Sequence, residues 1–357
     1  MNKIGVLVVD DSGVMRALLS SIINAAGDMH VVAMAATAAE ARETVKSSNP
    51  DVMTLDVEMP GMDGLDFLDR LMRLRPMPVV MISGLTARGS DTALKALELG
   101  ALEVVAKPRS DSQRGIYDAA TEICDKIRAA YHARSRVGAG RNSLSNGANK
   151  NSMASDGPVL GARVQQENFI MIGASTGGTE AIKDVLVPLP AEMPPILMVQ
   201  HMPEMFTGSF AKRLDSLARV HVKEAEDGER IRPGVAYLAP GHSHLSIRKT
   251  AAGYVCALAD TPPVNRHRPA VDVLFNSAAS VLGERALSIL LTGMGKDGAQ
   301  GMLAMRRAGS WTVAQDEESS VVWGMPREAI QIGAACEVAS VRDIPGLLLA
   351  RLRAGRH

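Results

Sequence analysis

Apolar residues recur along the chain in two rhythms, short unbroken runs and longer segments in which they return every three or four positions. The runs Ile4–Val9, Val31–Met34, Val52–Leu55, Val79–Ile82 and Val104–Val105 predict five strands. Between them, Val14–Ala26 and Ala38–Ser47 carry helical spacing. Strands alternating with helices in this way predict an α/β fold built on a doubly wound parallel sheet. From Ala133 to Gln166 the rhythm stops. The stretch RSRVGAGRNSLSNGANKNSMASDGPVLGARVQQ is rich in Gly, Ser, Asn and Ala and predicts a flexible linker. Alternation resumes at Phe169 through FIMIGAS, PILMVQHM, GVAYLAPG, HLSI, YVCALAD, LSILLTGMG and WTVAQD. The expected segments are 1–130, a linker over 131–166, and a second α/β domain over 167–357.

Length agrees with two domains, since 357 residues divide by about 150 per domain. Lys and Arg total 39 against 39 Asp and Glu, which speaks against a nucleic-acid partner or a polybasic membrane anchor. Hydrophobic residues at 46% can fill two cores, but aromatics at 3% and 20 methionines make those cores aliphatic and Met-rich. So few aromatics also exclude a stacking platform for single-stranded nucleic acid. Cys124, Cys256 and Cys336 form no C-x-x-C pair, so neither a disulfide framework nor a cysteine zinc site is expected. No apolar run approaches the ~20 residues of a membrane span, so no direct membrane insertion is expected. The start MNKIGVLVVDDSG puts aspartates where a signal peptide stays apolar, so a cytoplasmic location is expected.

The first domain places chemistry at strand ends. Asp10 and Asp11 follow the first strand, Asp56 closes the third, Ser83 closes the fourth and Lys107 follows the fifth. Open α/β sheets bind ligands at these carboxyl ends. Three converging carboxylates repel one another unless a cation neutralises them, and an all-oxygen set suits Mg²⁺. Lys107 then offers a point charge for phosphate, Ser83 a hydroxyl donor and Asp56 a carboxylate nucleophile. This region resembles the receiver domain of two-component response regulators, on VVDDS, TLDVEMPGMDG, MISG and AKP. The resemblance implies a flavodoxin-like receiver with Asp56 as phosphoacceptor, Asp10 and Asp11 helping to bind Mg²⁺, and Ser83 and Lys107 as the switch.

In the second domain, GASTG over 173–177 fits G-x-S-x-G after an apolar strand and before the helical TEAIKDVL. A nucleophile elbow needs that context, because small residues permit the sharp turn that presents the Ser175 hydroxyl. The same pattern suits a phosphate cradle or a simple helix cap. Among the histidines, His201 closes the strand PILMVQ at the same sheet edge as Ser175. His221 sits inside an apparent strand, His242 and His244 read as loop residues, and His267 lies among arginines. Asp297 follows another buried strand, with Asp316 a weaker competitor for the orienting acid. The expected triad is Ser175 as nucleophile, His201 as base and then acid, and Asp297 holding the imidazole. Its chain order departs from that of α/β-hydrolases, and GMGKDG lacks the Ser or Thr of a Walker A loop.

These segments resemble the chemotaxis-type protein-glutamate methylesterases, on IGASTGG, VQHMP, YLAPG, NRHRPAVDVLF, LLTGMGKDGAQG and AQDEESSVVWGMPREA. The resemblance implies a Rossmann-like, mostly parallel hydrolase domain whose catalytic Ser, His and Asp fall on Ser175, His201 and Asp297. It implies methyl-ester hydrolysis, and deamidation of selected glutamines, on the cytoplasmic helices of methyl-accepting chemoreceptors. A chemotaxis histidine kinase is then the phosphodonor, phosphorylation at Asp56 relieves a block on Ser175, and hydrolysis needs no cofactor. Backbone N–H groups near Thr176 and Met294 are candidate oxyanion donors, and Arg266 and Arg268 are either contacts to acidic receptor surface or solvated loop charges. The competing class is a response regulator with a non-catalytic, protein- or DNA-binding output, which would be shorter and carry a basic helix-turn-helix.

Overall fold

The computed structural model describes residues 3–59, 64–84, 87–108, 113–134 and 160–354. The chain divides into two units, Met1–Ser152 and Met153–His357. Most of the expected linker, part of the TLDVEMPGMDG motif and the C-terminal histidine lie outside the described residues.

The first unit alternates β1 (Ile4–Val9), α1 (Gly13–Ala25), β2 (Met29–Ala35), α2 (Ala38–Ser48), β3 (Val52–Asp56), α3 (Gly64–Leu74), β4 (Val79–Ser83), α4 (Ala87–Glu98), β5 (Glu103–Ala106) and α5 (Gln113–His132). The five strands are parallel in the order β2-β1-β3-β4-β5. This is the flavodoxin-like order, and the chain reverses direction across the sheet between β1 and β3. β1 and β3 are buried along their whole length, which is why β1 reads as an unbroken apolar run and β3 as one interrupted only by Thr54 before the closing Asp56. Val6, Val8, Leu19, Ile23, Val80, Ile82, Ile123 and Ile127 pack one core across β1, β4, α1 and α5.

The second unit contains α6 (Ala162–Glu167), β6 (Phe169–Ala174), α7 (Gly178–Leu186), β7 (Ile196–Gln200), α8 (Glu204–Leu217), β8 (His221–Glu224), β9 (Val235–Leu238), β10 (His244–Thr250), β11 (Gly253–Ala259), α9 (Val271–Val281), β12 (Ala286–Leu290), α10 (Ala299–Arg307), β13 (Trp311–Gln315), α11 (Met325–Gln331), β14 (Glu337–Ala339) and α12 (Ile344–Ala354). Seven strands form one parallel sheet in the order β14-β13-β12-β6-β7-β9-β8. From β6 the chain builds outward through β7 and then returns to β12 on the other side, so the switch point lies between β6 and β12. Met171, Met302, Met305 and Met325 share the core with Leu197, Leu274 and Phe275, as the Met-rich, aromatic-poor composition requires.

Three features depart from the sequence pattern. Helix α6 occupies the last part of the segment read as linker, with no buried side chain to give it an apolar period. HLSI and YVCALAD form the antiparallel hairpin β10–β11, which stands apart from the seven-stranded sheet and is bridged on the β11 side to the segment around Arg230. The edge strand β14 is too short and too exposed for an apolar run. The three cysteines are free thiols, Cys124 and Cys256 buried and Cys336 exposed. Burial pushes the Cys256 thiol up to about 12 and raises that of Cys124.

Candidate functional site

In the first unit Asp10, Asp11, Asp56 and Lys107 meet at the β1/β3 switch point, and Ser83 closes the adjacent strand β4. Lys107 Nζ lies 2.7 Å from Asp56 Oδ2 and 3.0 Å from Asp10 Oδ2. The Lys107 N–H donates to Ser83 O at 2.8 Å, so β4 and the segment after β5 are tied at their carboxyl ends. Arg16 donates to the carbonyls of Asp10 and Asp11 at 2.7 and 2.9 Å and holds that loop. Carboxylate oxygens of Asp10, Asp11 and Asp56 lie within 4.8 Å of one another, a grouping able to hold a metal ion. Asp10 Oδ2 is buried with only the Lys107 ammonium beside it among the described residues, and an all-oxygen set of three carboxylates fits an oxygen-seeking cation. Burial raises the Asp56 carboxyl despite Lys107, which pulls it down, while Asp10 pushes it further up. Burial also works against the Lys107 charge, but Asp56 and Asp10 overcome it and raise the ammonium.

The second constellation stands at the β6/β12 switch point. Where β6 ends, Ser175 N donates to Thr292 O at 3.0 Å. Gly178 N returns to Ser175 O at 2.7 Å and closes a turn over 175–178. Gly177 takes φ +75°, and a β-carbon there would lie 2.5 Å from Val321 Cβ. Conformation and space both demand glycine. The turn leads directly into α7, the strand–turn–helix arrangement of a nucleophile elbow. Ser175 is 4% exposed.

His201 follows β7, and its N–H donates to Ala174 O at 3.1 Å, which holds it level with the residue before Ser175. Gln200 Nε2 bridges the two segments, donating to Ser175 O at 3.0 Å and His201 O at 3.2 Å. The imidazole donates from Nε2 to Asp297 Oδ2 at 2.8 Å. Its other nitrogen, Nδ1, is buried and has no partner among the described residues. Asp297 also accepts from Val271 N at 2.6 Å, Asp272 N at 3.2 Å and Asn265 Nδ2 at 2.8 Å. Two of those donors are free amides of the first turn of α9, where a negative charge is favoured. Burial alone would raise the Asp297 carboxyl, but the hydrogen bond and charge of His201, with Asn265 and Val271, hold it well below the usual range. Asp316 serves elsewhere, accepting from Ser319 N and Oγ in the turn after β13.

The backbone N–H groups of Thr176 and Met294 donate to no acceptor among the described residues. Met294 is brought beside the serine by Gly293, where a β-carbon would come within 2.7 Å of Ser175 Cβ. Arg268 donates to Asp260 and to Thr261 O at 3.2 Å, while Arg266 sits at φ +70° in the preceding turn. His221 pairs with Asp215 at 2.9 Å. His242 Nδ1 meets Ser243 Oγ at 2.7 Å. His244 is locked between Ala270 N and Pro262 O. The three acidic residues of the first unit are the one potential metal-holding group of His, Cys, Asp or Glu among the described residues.

Sequence reasoning passed over two side chains here. His267 stacks on His201 with ring centroids 3.7 Å apart and planes at 13°. Asn265 Nδ2 joins Asp297 Oδ1 to Asp272 Oδ2, each at 2.8 Å. Both belong to NRHRPAVDVLF, but no periodicity marks them, because an exposed turn delivers them. One signal was available, since Asn is among the few residues that readily take the left-handed conformation found at 265.

Comparison with known proteins places both constellations in context. Residues 170–348 match the CheB methylesterase family, and residues 6–114 match the response regulator receiver domain family. A Dechloromonas aromatica protein named protein-glutamate methylesterase/protein-glutamine glutaminase 1 is 57% identical over 352 residues, covering 99% of this chain and 99% of its own. A Paraburkholderia xenovorans protein named protein-glutamate methylesterase/protein-glutamine glutaminase is 54% identical over 358 residues, covering 99% of this chain and 97% of its own. Among solved structures, the Thermotoga maritima CheB methylesterase catalytic domain is similar at a TM-score of 0.50 and 40% identity, covering 51% of this chain and 97% of that one.

Proposed function

The chain belongs to the CheB methylesterase family, in the form that carries an N-terminal response regulator receiver domain, and from that premise we propose how its residues perform the reaction. The chain is a carboxylic ester hydrolase of chemotaxis, a protein-glutamate methylesterase that also acts as a protein-glutamine deamidase. Its substrates are the γ-methyl esters of glutamate side chains, and selected glutamines, on the cytoplasmic helices of methyl-accepting chemoreceptors.

The observation that carries the mechanism is the unpartnered Nδ1 of His201, opposite a ring nitrogen already committed to Asp297. With Nε2–H donated to the carboxylate, the lone pair lies on Nδ1, so His201 is ready to accept a proton. Ser175 Oγ attacks the ester carbonyl as Nδ1 takes its proton, forming a tetrahedral adduct. Thr176 N–H and Met294 N–H, both without acceptors among the described residues, receive the oxyanion. His201 returns the proton to the departing methoxide, so methanol leaves and an acyl-serine remains. Water then repeats the sequence and releases glutamate. A glutamine substrate follows the same path with ammonia leaving. Asp297, held low by its donors, stays ionised and balances the transient imidazolium. Arg266 and Arg268 offer positive charge to acidic receptor surface on the rim.

In the receiver, Asp56 takes a phosphoryl group from a chemotaxis histidine kinase, and this activates the esterase. Asp10, Asp11 and Asp56 would hold Mg²⁺. A divalent cation there supplies charge compensation for the phosphoryl oxygens. Lys107 is already placed against Asp56 to attract them, and Ser83 closes the neighbouring strand.

The deciding measurement is methanol release from methylated receptor fragments by the full-length chain. Release is the expected result. Cleavage of small methyl esters with none from receptor would indicate a different serine hydrolase, and no cleavage of either would favour a non-catalytic output.

A further inference from the structure

The turn between β11 and α9 touches two members of the proposed triad at once. Val264 and His267 exchange backbone hydrogen bonds at 3.0 and 2.9 Å, closing a two-residue reversal. Its central residues, Asn265 and Arg266, take φ +52° and +70°, the conformation of the tightest hairpin turns. Arginine is unsuited to that region, and such strain persists only where surrounding contacts hold it. From this exposed turn Asn265 reaches inward to Asp297, 1% exposed, and Asp272, 7% exposed. His267 lies flat on His201.

We propose that the Val264–His267 turn is a clip that sets the catalytic geometry, with His267 as the positioning residue for the His201 ring and Asn265 as the positioning residue for the Asp297 carboxylate. The proposal rests on the triad reading above.

The need for such a clip follows from the softness of an imidazole. Rotation about the bond to a planar ring is broad rather than sharply staggered, so a rotamer alone does not fix the plane of His201. Its one ring hydrogen bond, Nε2 to Asp297, pins a single edge and leaves rotation about that axis free. Such rotation swings Nδ1 off any line to the serine. A parallel ring at 3.7 Å removes that freedom, because tilting His201 would drive it into His267. Asn265 acts similarly on the acid. Asp297 Oδ2 serves His201 and Val271 N, whereas Oδ1 is held by Asn265 and Asp272 N, so all four donors together fix the carboxylate plane. The second bond of Asn265, to Asp272, ties the turn to α9 itself. Neither side chain needs to touch substrate.

The test uses the full-length chain with His267→Ala, His267→Phe, His267→Leu, Asn265→Ala and, as the reference for the triad reading, Ser175→Ala. Two readouts are taken, kcat and KM on methylated receptor fragment, and the rate of labelling by a fluorophosphonate, which reports serine activation without receptor binding. Circular dichroism and the thermal midpoint establish that each variant is folded. His267→Ala and Asn265→Ala should each lower kcat and labelling by about 10- to 100-fold, the scale of a misplaced reacting group, with KM within about twofold. Phe restores a flat ring and should recover most of the rate. Leu, of similar bulk but not flat, should not. Wild-type kcat in folded His267→Ala and Asn265→Ala, with Ser175→Ala inactive, would overturn the clip and leave the triad standing. Equal rescue by Leu and Phe would reduce His267 to a cover and also overturn it. Activity in Ser175→Ala would instead sink the reading beneath it.

Discussion

Ser175 and Asp297 show how differently two buried polar residues of one site bear on the rest of the protein. The serine accepts no cost when removed, since its backbone N–H and carbonyl carry the turn and its hydroxyl does not. Ser175→Ala should therefore lower turnover by about 10⁴-fold or more, because triad members act as a unit, and leave the thermal midpoint near wild type. Asp297→Asn is expected to do both kinds of damage. It favours the wrong imidazole tautomer, costing on the order of 10⁴ in kcat. It also weakens a buried acceptor of four donors, which costs about 1–3 kcal/mol of stability. The folded carboxyl lies below its unfolded value, so its stabilisation is complete above the ordinary carboxylate range and fades as pH falls through the lowered value. Urea midpoints of wild type and Asp297→Asn should accordingly differ by a gap that persists from about pH 8 down to 5 and narrows only below about pH 4. A gap closing between pH 7 and 5 would contradict the assignment. The proposed triad of Ser175, His201 and Asp297 is legible in the chain because each stands just past a recognisable apolar strand. Asn265 and His267 could not. They reach the same place from an exposed turn, through a tertiary approach with no sequence period.

At the level of elements, the site depends on glycines where strands and loops nearly touch. Gly177 combines φ +75° with an approach that leaves no room beside Val321. At Gly293 a β-carbon would meet Met325 Sδ at 2.3 Å as well as Ser175 Cβ at 2.7 Å. Gly177→Ala and Gly293→Ala should each destabilise the second unit by about 1–3 kcal/mol, the cost of overpacking, and reduce esterase activity more than 10-fold by shifting the elbow. Calorimetry and methanol release check both. A fully active Gly293→Ala protein would show that the segment after β12 does not need its close approach to the serine. Strand limits were legible to within a residue or two wherever both faces are covered, as in β1, β6 and β7, because burial on two sides forces a continuous apolar run. The hairpin β10–β11 kept its strand signal but not its partner. Its residues are strand-like, and only the fold decides that they pair with each other.

Across the whole molecule, the same topological rule places both chemistries. Each unit carries its polar cluster where the strand order reverses, between β1 and β3 and between β6 and β12. The division into two α/β halves was plain from the interruption after α5, although nothing in composition announced α6. Coupling between the halves is tested by function. A small phosphodonor with Mg²⁺ should raise the methanol-release rate of the wild-type chain. Asp56→Asn should keep its basal rate and lose the response. Chelation by EDTA should likewise abolish the response without lowering basal hydrolysis, because no metal enters the ester chemistry proposed for Ser175. Loss of the basal rate on chelation would contradict that division of labour.

The unequal thiols give this chain a ready spectroscopic address. Only a thiolate attacks a maleimide, so the two buried cysteines, both with raised pKa, are poor nucleophiles at neutral pH. Cys336 stands exposed just before β14, on the sheet edge farthest in strand order from β8. At pH 7 the native chain should take up about one equivalent of maleimide dye quickly, with the remaining thiols reacting only after denaturation. Peptide mapping should find the dye at Cys336, so a single fluorophore can be attached to the esterase unit without mutating any cysteine.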